Sequence, residues 1–175
     1  MQEHTYLNDS NPVVTLKVKD YGTITLQLFN EVAPNTVSNF IEIVEKGLYT
    51  GSIFHRIIPG FMIQGGQVNE MIRPIKGDFI TNGVNNPLKH TRGVISMART
   101  MIKDSATSQF FIMHKDSPHL DGQYAAFGMV TSGIEVVDQI AKVRRDQYDK
   151  PYEDVVIESV TVDLKGKSYP KTVRL

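Results

Sequence analysis

Between Ile53 and Val130 the chain is cut into short apolar runs by turn-forming residues. The runs are Ile53–Ile58, Phe61–Gln64, Gly93–Ala98, Ser108–Met113 and Ala125–Val130. Their length suits strands, and their spacing points to many short strands and not to βαβ units. The flanks agree. Val14, Leu16 and Val18 alternate with Thr15, Lys17 and Lys19, and after Asp20-Tyr21-Gly22 the residues Ile24, Leu26 and Leu28 alternate again. Two half-buried strands around turn residues predict a hairpin. Val160, Val162 and Leu164 predict a last strand.

Two segments carry helical periodicity instead. In Pro34–Lys46, Val37, Phe40, Ile41 and Val44 share one face, and Gly47 stands where a C-terminal glycine belongs. In Ile134–Lys142, Ile134, Val137 and Ala141 share a face, and Ser132 with Glu135 forms a candidate capping box. Mostly strands with two helices predicts a mainly β fold, either a barrel or a sandwich. The pattern alone does not choose between them.

At 175 residues the chain fits one domain with a proper core. Lys plus Arg equals Asp plus Glu, 19 each, so charge gives no reason to expect nucleic acid or an anionic membrane as partner. The basic residues of the last segment, Lys165, Lys167, Lys171 and Arg174, read as a solvated mixed tail. The absence of cysteine removes disulfides, thiol nucleophiles and thiolate metal sites. Met1–Asn11 is polar without a signal-peptide core, and no run of ~18 apolar residues occurs. The expectation is a cytoplasmic monomer with a domain over 12–164, flanked by extensions over 1–11 and 165–175.

Phosphate-loop, dinucleotide-binding and nucleophile-elbow motifs are missing. The five histidines, His4, His55, His90, His114 and His119, show no tight ligand spacing, so no metal or other cofactor is expected. Ser117, His119 and Asp121 imitate a triad, but the same segment holds Pro118 and Gly122 and reads as a turn.

The informative stretch is FHRIIPGFMIQGG, Phe54–Gly66, which sets one cation and one amide among large apolar groups. By residue type alone Phe61 and Met62 fit an ordinary core, and Arg56 fits a solvated charge or an ion pair. The stretch nevertheless resembles the signature of the cyclophilins. So do SMAR at Ser96–Arg99, SQFFI at Ser108–Ile112 and LDGQYAAFG at Leu120–Gly128. Four blocks in the right order, within a likeness running from about Pro12 to Leu164, are far more specific than any single motif.

The resemblance implies a closed eight-stranded antiparallel β-barrel capped by two α-helices, with peptidyl-prolyl cis/trans isomerase activity at an outer groove. Carried over by position, Arg56 is the catalytic arginine, and Phe61, Met62, Phe111 and Leu120 line a proline pocket. Gln64 and Gln109 hold the arginine and the substrate backbone. Ala98 and the backbone of Arg99 meet the residues before the proline, and His55, His119 and Tyr124 form the rim. The implied partners are proline-containing peptides and unfolded or folding proteins. His119 stands where eukaryotic members often have tryptophan, Tyr124 where they often have histidine, and Arg99 where they have asparagine. The loop Thr100–Thr107 lacks their glycines. This combination is more like bacterial members and implies weak cyclosporin binding.

The residues suit the reaction. Rotation about an amide breaks no σ-bond, and its barrier of ~18–20 kcal/mol comes from resonance. A catalyst therefore needs only to favour the twisted amide, in which the prolyl nitrogen regains a lone pair. An arginine presents a rigid fork of donors to that nitrogen or to the adjacent carbonyl oxygen. The competing reading is a binding module or chaperone-like partner for proline peptides with incidental turnover; such a binder has no need of the arginine.

Overall fold

The computed structural model describes residues 5–175. The first four residues of the expected N-terminal extension, His4 among them, lie outside the described residues. The architecture is mainly β: eight antiparallel strands with two α-helices. β1 (Val13–Val18) and β2 (Gly22–Leu28) form the expected hairpin, with Val13 opposite Gln27 and Val18 opposite Gly22. Val14, Leu16, Val18, Ile24, Leu26 and Leu28 are all buried, so the alternation read from the sequence is the inner face. Asp20 turns the corner at φ 69°, a left-handed conformation that aspartate tolerates.

α1 (Pro34–Glu45) starts on proline, whose missing N–H costs nothing in the first turn. It ends as expected at Gly47: Gly47 N–H donates to Val44 O at 2.9 Å and Leu48 N–H to Ile43 O at 3.3 Å, the paired bonds of a Schellman motif. β3 (Arg56–Ile58), β4 (Met62–Gly65), β5 (Val94–Met97), β6 (Phe110–Met113) and β7 (Ala126–Ser132) follow from the central apolar runs. α2 (Ile134–Ala141) and β8 (Ile157–Asp163) complete the fold.

The expected capping box at α2 does not form. Ser132 is still part of β7, paired with Thr25, and the cap is Gly133 at φ 91° with no side-chain cap bond. A Cβ on Gly133 would lie 2.2 Å from Thr23 O, so only glycine fits where β7 passes into the helix beside β2.

The strand order is β3-β4-β6-β5-β7-β2-β1-β8. The expected closed barrel is instead an open half-barrel, because no ladder joins β3 to β8. The two edges meet through the segment before β3: Ile53 bridges Val156, Phe54 N–H donates to Val155 O at 2.9 Å, and Ile157 at the start of β8 donates its N–H to Ser52 O at 2.7 Å and accepts from Gly51 N–H at 2.8 Å. The reason is local. β3 has three residues, and its Ile57 N–H is taken by Asp149 O at 2.9 Å, in the loop after α2, leaving β8 without that partner.

The core is aromatic at its centre. Phe110 lies edge-on to Phe40, Tyr49 and Phe54 at 5.6, 5.4 and 6.1 Å between ring centroids. The residues after Leu164 lie against α1. Asn35 takes Val173 N–H and donates to Val173 O, both at 2.9 Å, Leu175 N–H reaches Pro74 O at 2.9 Å, and Thr172 is buried. Ser38 and Ile41 of α1 are buried and line a small hollow with Tyr169, Pro170 and Lys171 of this strap. No helix among the described residues is long and apolar enough to cross a membrane.

Candidate active site

The β3–β4 hairpin is the foundation of the site. Its register sets Arg56 opposite Gln64 and Ile58 opposite Met62. Pro59-Gly60 turns between the strands, with Phe61 N–H donating to Ile58 O at 3.0 Å and Gly60 at φ 77°, the geometry of a type II turn. One hairpin thereby supplies Arg56, Phe61, Met62 and Gln64. β4 pairs with β6, so Gln64 stands opposite Phe111. Because side chains alternate along β6, Phe110 enters the core and Phe111 faces the other way.

A groove of about 140 Å³ is lined by Arg56, Phe61, Met62, Gln64, Ala98, Arg99, Phe111, Leu120 and Tyr124. These are nine residues that the sequence assigned to the site, gathered from four separate blocks. Met62, Phe111 and Leu120 are buried walls, while Arg56 is exposed at the edge. Gln109 lines an adjoining recess of about 200 Å³ together with Gln64, Ala98 and Arg99. His119 stands outside the lining, its ring 5.7 Å from that of Phe61. His55 is half-buried beside Gln109. A larger hollow of about 520 Å³, walled by Lys142, Arg144 and Tyr152 among others, contains none of the sequence-predicted residues.

The polar groups are chained. Gln64 Nε2 donates to Gln109 Oε1 at 3.0 Å, which orients the Gln64 carbonyl oxygen toward the Arg56 guanidinium, 3.5 Å from Nη1. The last contact is long, so it steers the guanidinium without consuming its donors. Arg99 is held much more firmly. It donates to Gln123 O at 2.7 Å and Thr100 O at 2.9 Å, and its guanidinium lies between the rings of Tyr124 and Phe79, at 4.5 and 4.9 Å. It is a structural clamp between two loops as well as part of the wall.

Sequence reasoning missed the layer behind the groove. His90 is fully buried, 1 % exposed; its Nε2 lies 2.8 Å from Ser96 Oγ and its Nδ1 3.2 Å from Asp121 Oδ1. Asp121 therefore serves His90 and not His119, and the triad-like run Ser117, His119, Asp121 is the expected turn, with a short 3-10 helix over Pro118–Leu120. Ser96 is itself 0 % exposed, so this Ser-His-Asp chain meets no substrate. The His90 ring lies stacked 6.0 Å from Phe111, which it backs. The His90–Asp121 contact spans 31 residues of sequence, and nothing in the local pattern of His90 announces it.

His55 and His90 both favour their neutral forms. Burial, then the neighbouring Arg56 charge, lowers the His55 pKa below its usual value; burial lowers that of His90 against the pull of Asp121. The folded chain then binds fewer protons than the unfolded chain, so stability is fully present above about pH 6.5, the unfolded histidine pKa, and falls as pH drops through the folded values. The carboxyls of Asp138, bonded to Arg92, and of Asp104, bonded to Asn82, also lie below their usual range and extend the loss into stronger acid. Thermal melts should show a level Tm from about pH 6.5 to 8 and a decline beginning just below. A Tm that rises on acidification to about pH 5.5 would contradict neutral burial of these rings.

The comparisons with known proteins agree with this geometry. Residues 13–162 match the family described as cyclophilin type peptidyl-prolyl cis-trans isomerase/CLD. Peptidyl-prolyl cis-trans isomerase A of Dickeya dadantii is 45 % identical over 147 residues, covering 81 % of this chain and 77 % of that protein. Peptidyl-prolyl cis-trans isomerase B of Escherichia coli is 43 % identical over 156 residues, covering 82 % and 95 %. Among solved structures, a cyclophilin-type isomerase of Cryptosporidium parvum, crystallised in the presence of the dipeptide Ala-Pro, superposes with a TM-score of 0.76. It is 28 % identical, and the match covers 86 % of this chain and 98 % of that one. With the family match running from β1 almost to the end of β8, the chain belongs to the cyclophilin-type peptidyl-prolyl cis-trans isomerases.

Proposed function

We propose that the groove binds a proline-containing segment of a peptide or folding protein and lowers the barrier to rotation about its X–Pro bond by hydrogen bonding from Arg56 to the twisted amide. The observation that carries the reading is the placement of one exposed guanidinium, steered by Gln64, at the mouth of an apolar pocket. Phe61, Met62, Phe111 and Leu120 hold the pyrrolidine ring by contact while the acyl side turns. The apolar wall lowers the local dielectric and strengthens the donor at the prolyl nitrogen or carbonyl oxygen. No covalent intermediate and no metal or other cofactor takes part, because a resonance barrier is lowered by binding the twisted form more tightly than either planar form. The Ala-Pro dipeptide present with the Cryptosporidium parvum relative is the ligand chemistry expected here.

The purified protein should raise the cis-to-trans rate of a short Ala-Pro peptide in proportion to its concentration. Saturable binding of such a peptide with no change in its isomerisation rate would favour the binding-module reading. As further parts of the proposal, the protein works as a monomer on unfolded clients and resides in the cytoplasm, a compartment with which its lack of cysteine is compatible.

His119 sets a separate expectation. It is exposed and touches the groove through Phe61, so a small peptide held in the proline pocket scarcely uses it. A broad cyclic ligand such as cyclosporin also covers the rim, where an indole offers more apolar area and an N–H donor. His119→Trp should tighten cyclosporin binding several-fold by calorimetry, with turnover of a minimal peptide unchanged; equal affinities would show that His119 does not set the rim preference.

A further inference from the structure

Phe61 lies in the turn of the β3–β4 hairpin, where side-chain position depends on how firmly the turn is held. In a type II turn the N–H of the third residue points away from the turn's own hydrogen bond and needs a partner elsewhere. Here that N–H belongs to Gly60, and it donates to His114 Nδ1 at 2.9 Å. The backbone N–H of His114 donates to Phe61 O, also at 2.9 Å. One residue therefore grips the main chain on both sides of the Phe61 Cα. Its other ring nitrogen, Nε2, lies 3.1 Å from Asp138 Oδ1 on α2. Asp138 is in turn held by two bonds from Arg92, at 2.7 and 2.8 Å, and Arg92 also donates to His114 O at 3.1 Å.

The protons along this chain are determined by the partners. An amide N–H can only donate, so His114 Nδ1 must present its lone pair to Gly60. The ring hydrogen then sits on Nε2, where Asp138 accepts it. Asp138 selects the tautomer in which Nδ1 is an acceptor, and the acceptor anchors the turn. His114 is 18 % exposed and lines neither the groove nor the adjoining recess.

We propose that His114, oriented by Asp138, is a positioning residue for the isomerase reaction: it fixes the turn that carries Phe61, and through that hairpin the distance between the proline pocket and Arg56. The inference rests on the isomerase reading of the groove. Its mechanism predicts which atom of residue 114 matters. Asparagine places a carbonyl oxygen near the Nδ1 position and can still accept from Gly60. Glutamine places its amide near Nε2 and can still reach Asp138, but offers Gly60 no acceptor.

The test compares wild type, His114→Asn and His114→Gln in turnover of an Ala-Pro peptide, with Tm measured on each. His114→Asn should stay within about threefold of wild type, and His114→Gln should lose about tenfold in kcat/KM, mostly in kcat, at a similar Tm, as expected when reacting groups are misplaced by a fraction of an ångström. Equal activities of the two variants, or losses that follow Tm and not the retained acceptor, would overturn the proposal. Nitrogen-15 NMR of the wild-type imidazole gives an answer that needs no variant to fold: Nδ1 should be the unprotonated nitrogen, and a ring protonated on Nδ1 overturns the proposal as well. An inactive wild-type protein would instead remove the isomerase reading, which separates the two failures.

Discussion

Arg56→Ala should lower kcat/KM by about two orders of magnitude or more, the scale on which a lost preorganised donor costs roughly 3–4 kcal/mol of transition-state stabilisation. The loss should fall mainly in kcat, because the guanidinium is proposed to bind the twisted amide more strongly than the planar one. Stability should scarcely change. Arg56 is exposed, and its side-chain contact is the 3.5 Å approach to Gln64, so its removal strands no buried charge. Arg56→Lys should also be poor, since an ammonium cannot reproduce the planar fork that Gln64 steers. A peptide isomerisation assay with a urea unfolding curve on each variant decides the matter. Near-native turnover by Arg56→Ala would remove the residue from the mechanism.

Phe110→Ala should destabilise the fold by about 3–5 kcal/mol, among the largest effects expected of a single core truncation. Phe110 is wholly buried and meets Phe40, Tyr49 and Phe54 edge-on, so its loss leaves a cavity among rigid rings that cannot close around it. Its neighbour offers the contrast. Phe111→Ala removes a groove wall, so it should reduce kcat/KM while costing much less stability than Phe110→Ala. The measurement is the urea midpoint at unchanged m-value, set beside peptide turnover. Since Phe111 is also buried, turnover separates the faces: full turnover by folded Phe111→Ala would contradict its assignment to the groove.

The hairpin of β1 and β2 was legible because its alternation is a local fact: each apolar residue lies two positions from the next, and burial on one face follows. α1 was legible for the same reason at period 3.6, and its end was readable at Gly47. Ser132 and Glu135 misled because a capping box is recognised by spacing, whereas the cap of α2 is decided by how closely the chain passes Thr23. The closed barrel implied by the resemblance also fails, for a reason local to one run. The run Ile53–Ile58 reads as one strand, yet Ile53 and Phe54 face the segment before β8 while Arg56–Ile58 pair with β4.

The strand-rich character of the fold and its two helices are carried by residue type at short spacing. The family and the groove side chains are legible only through the resemblance of the four motif blocks in their order, since by residue type alone Phe61 and Met62 fit a core and Arg56 a solvated charge. Tertiary packing alone leaves the half-barrel open between β3 and β8, sets His90 with Asp121 and Ser96 behind Phe111, and links Gly60 to Asp138 through His114. The ring-nitrogen contacts among them join positions 6, 24, 31 and 54 residues apart, and the hydrogen-bonding roles of those nitrogens depend on their partners. A histidine's letter in the sequence is the same whether it accepts from a turn, stacks on a pocket wall or faces solvent; the partner that settles its role arrives only when the strands pair.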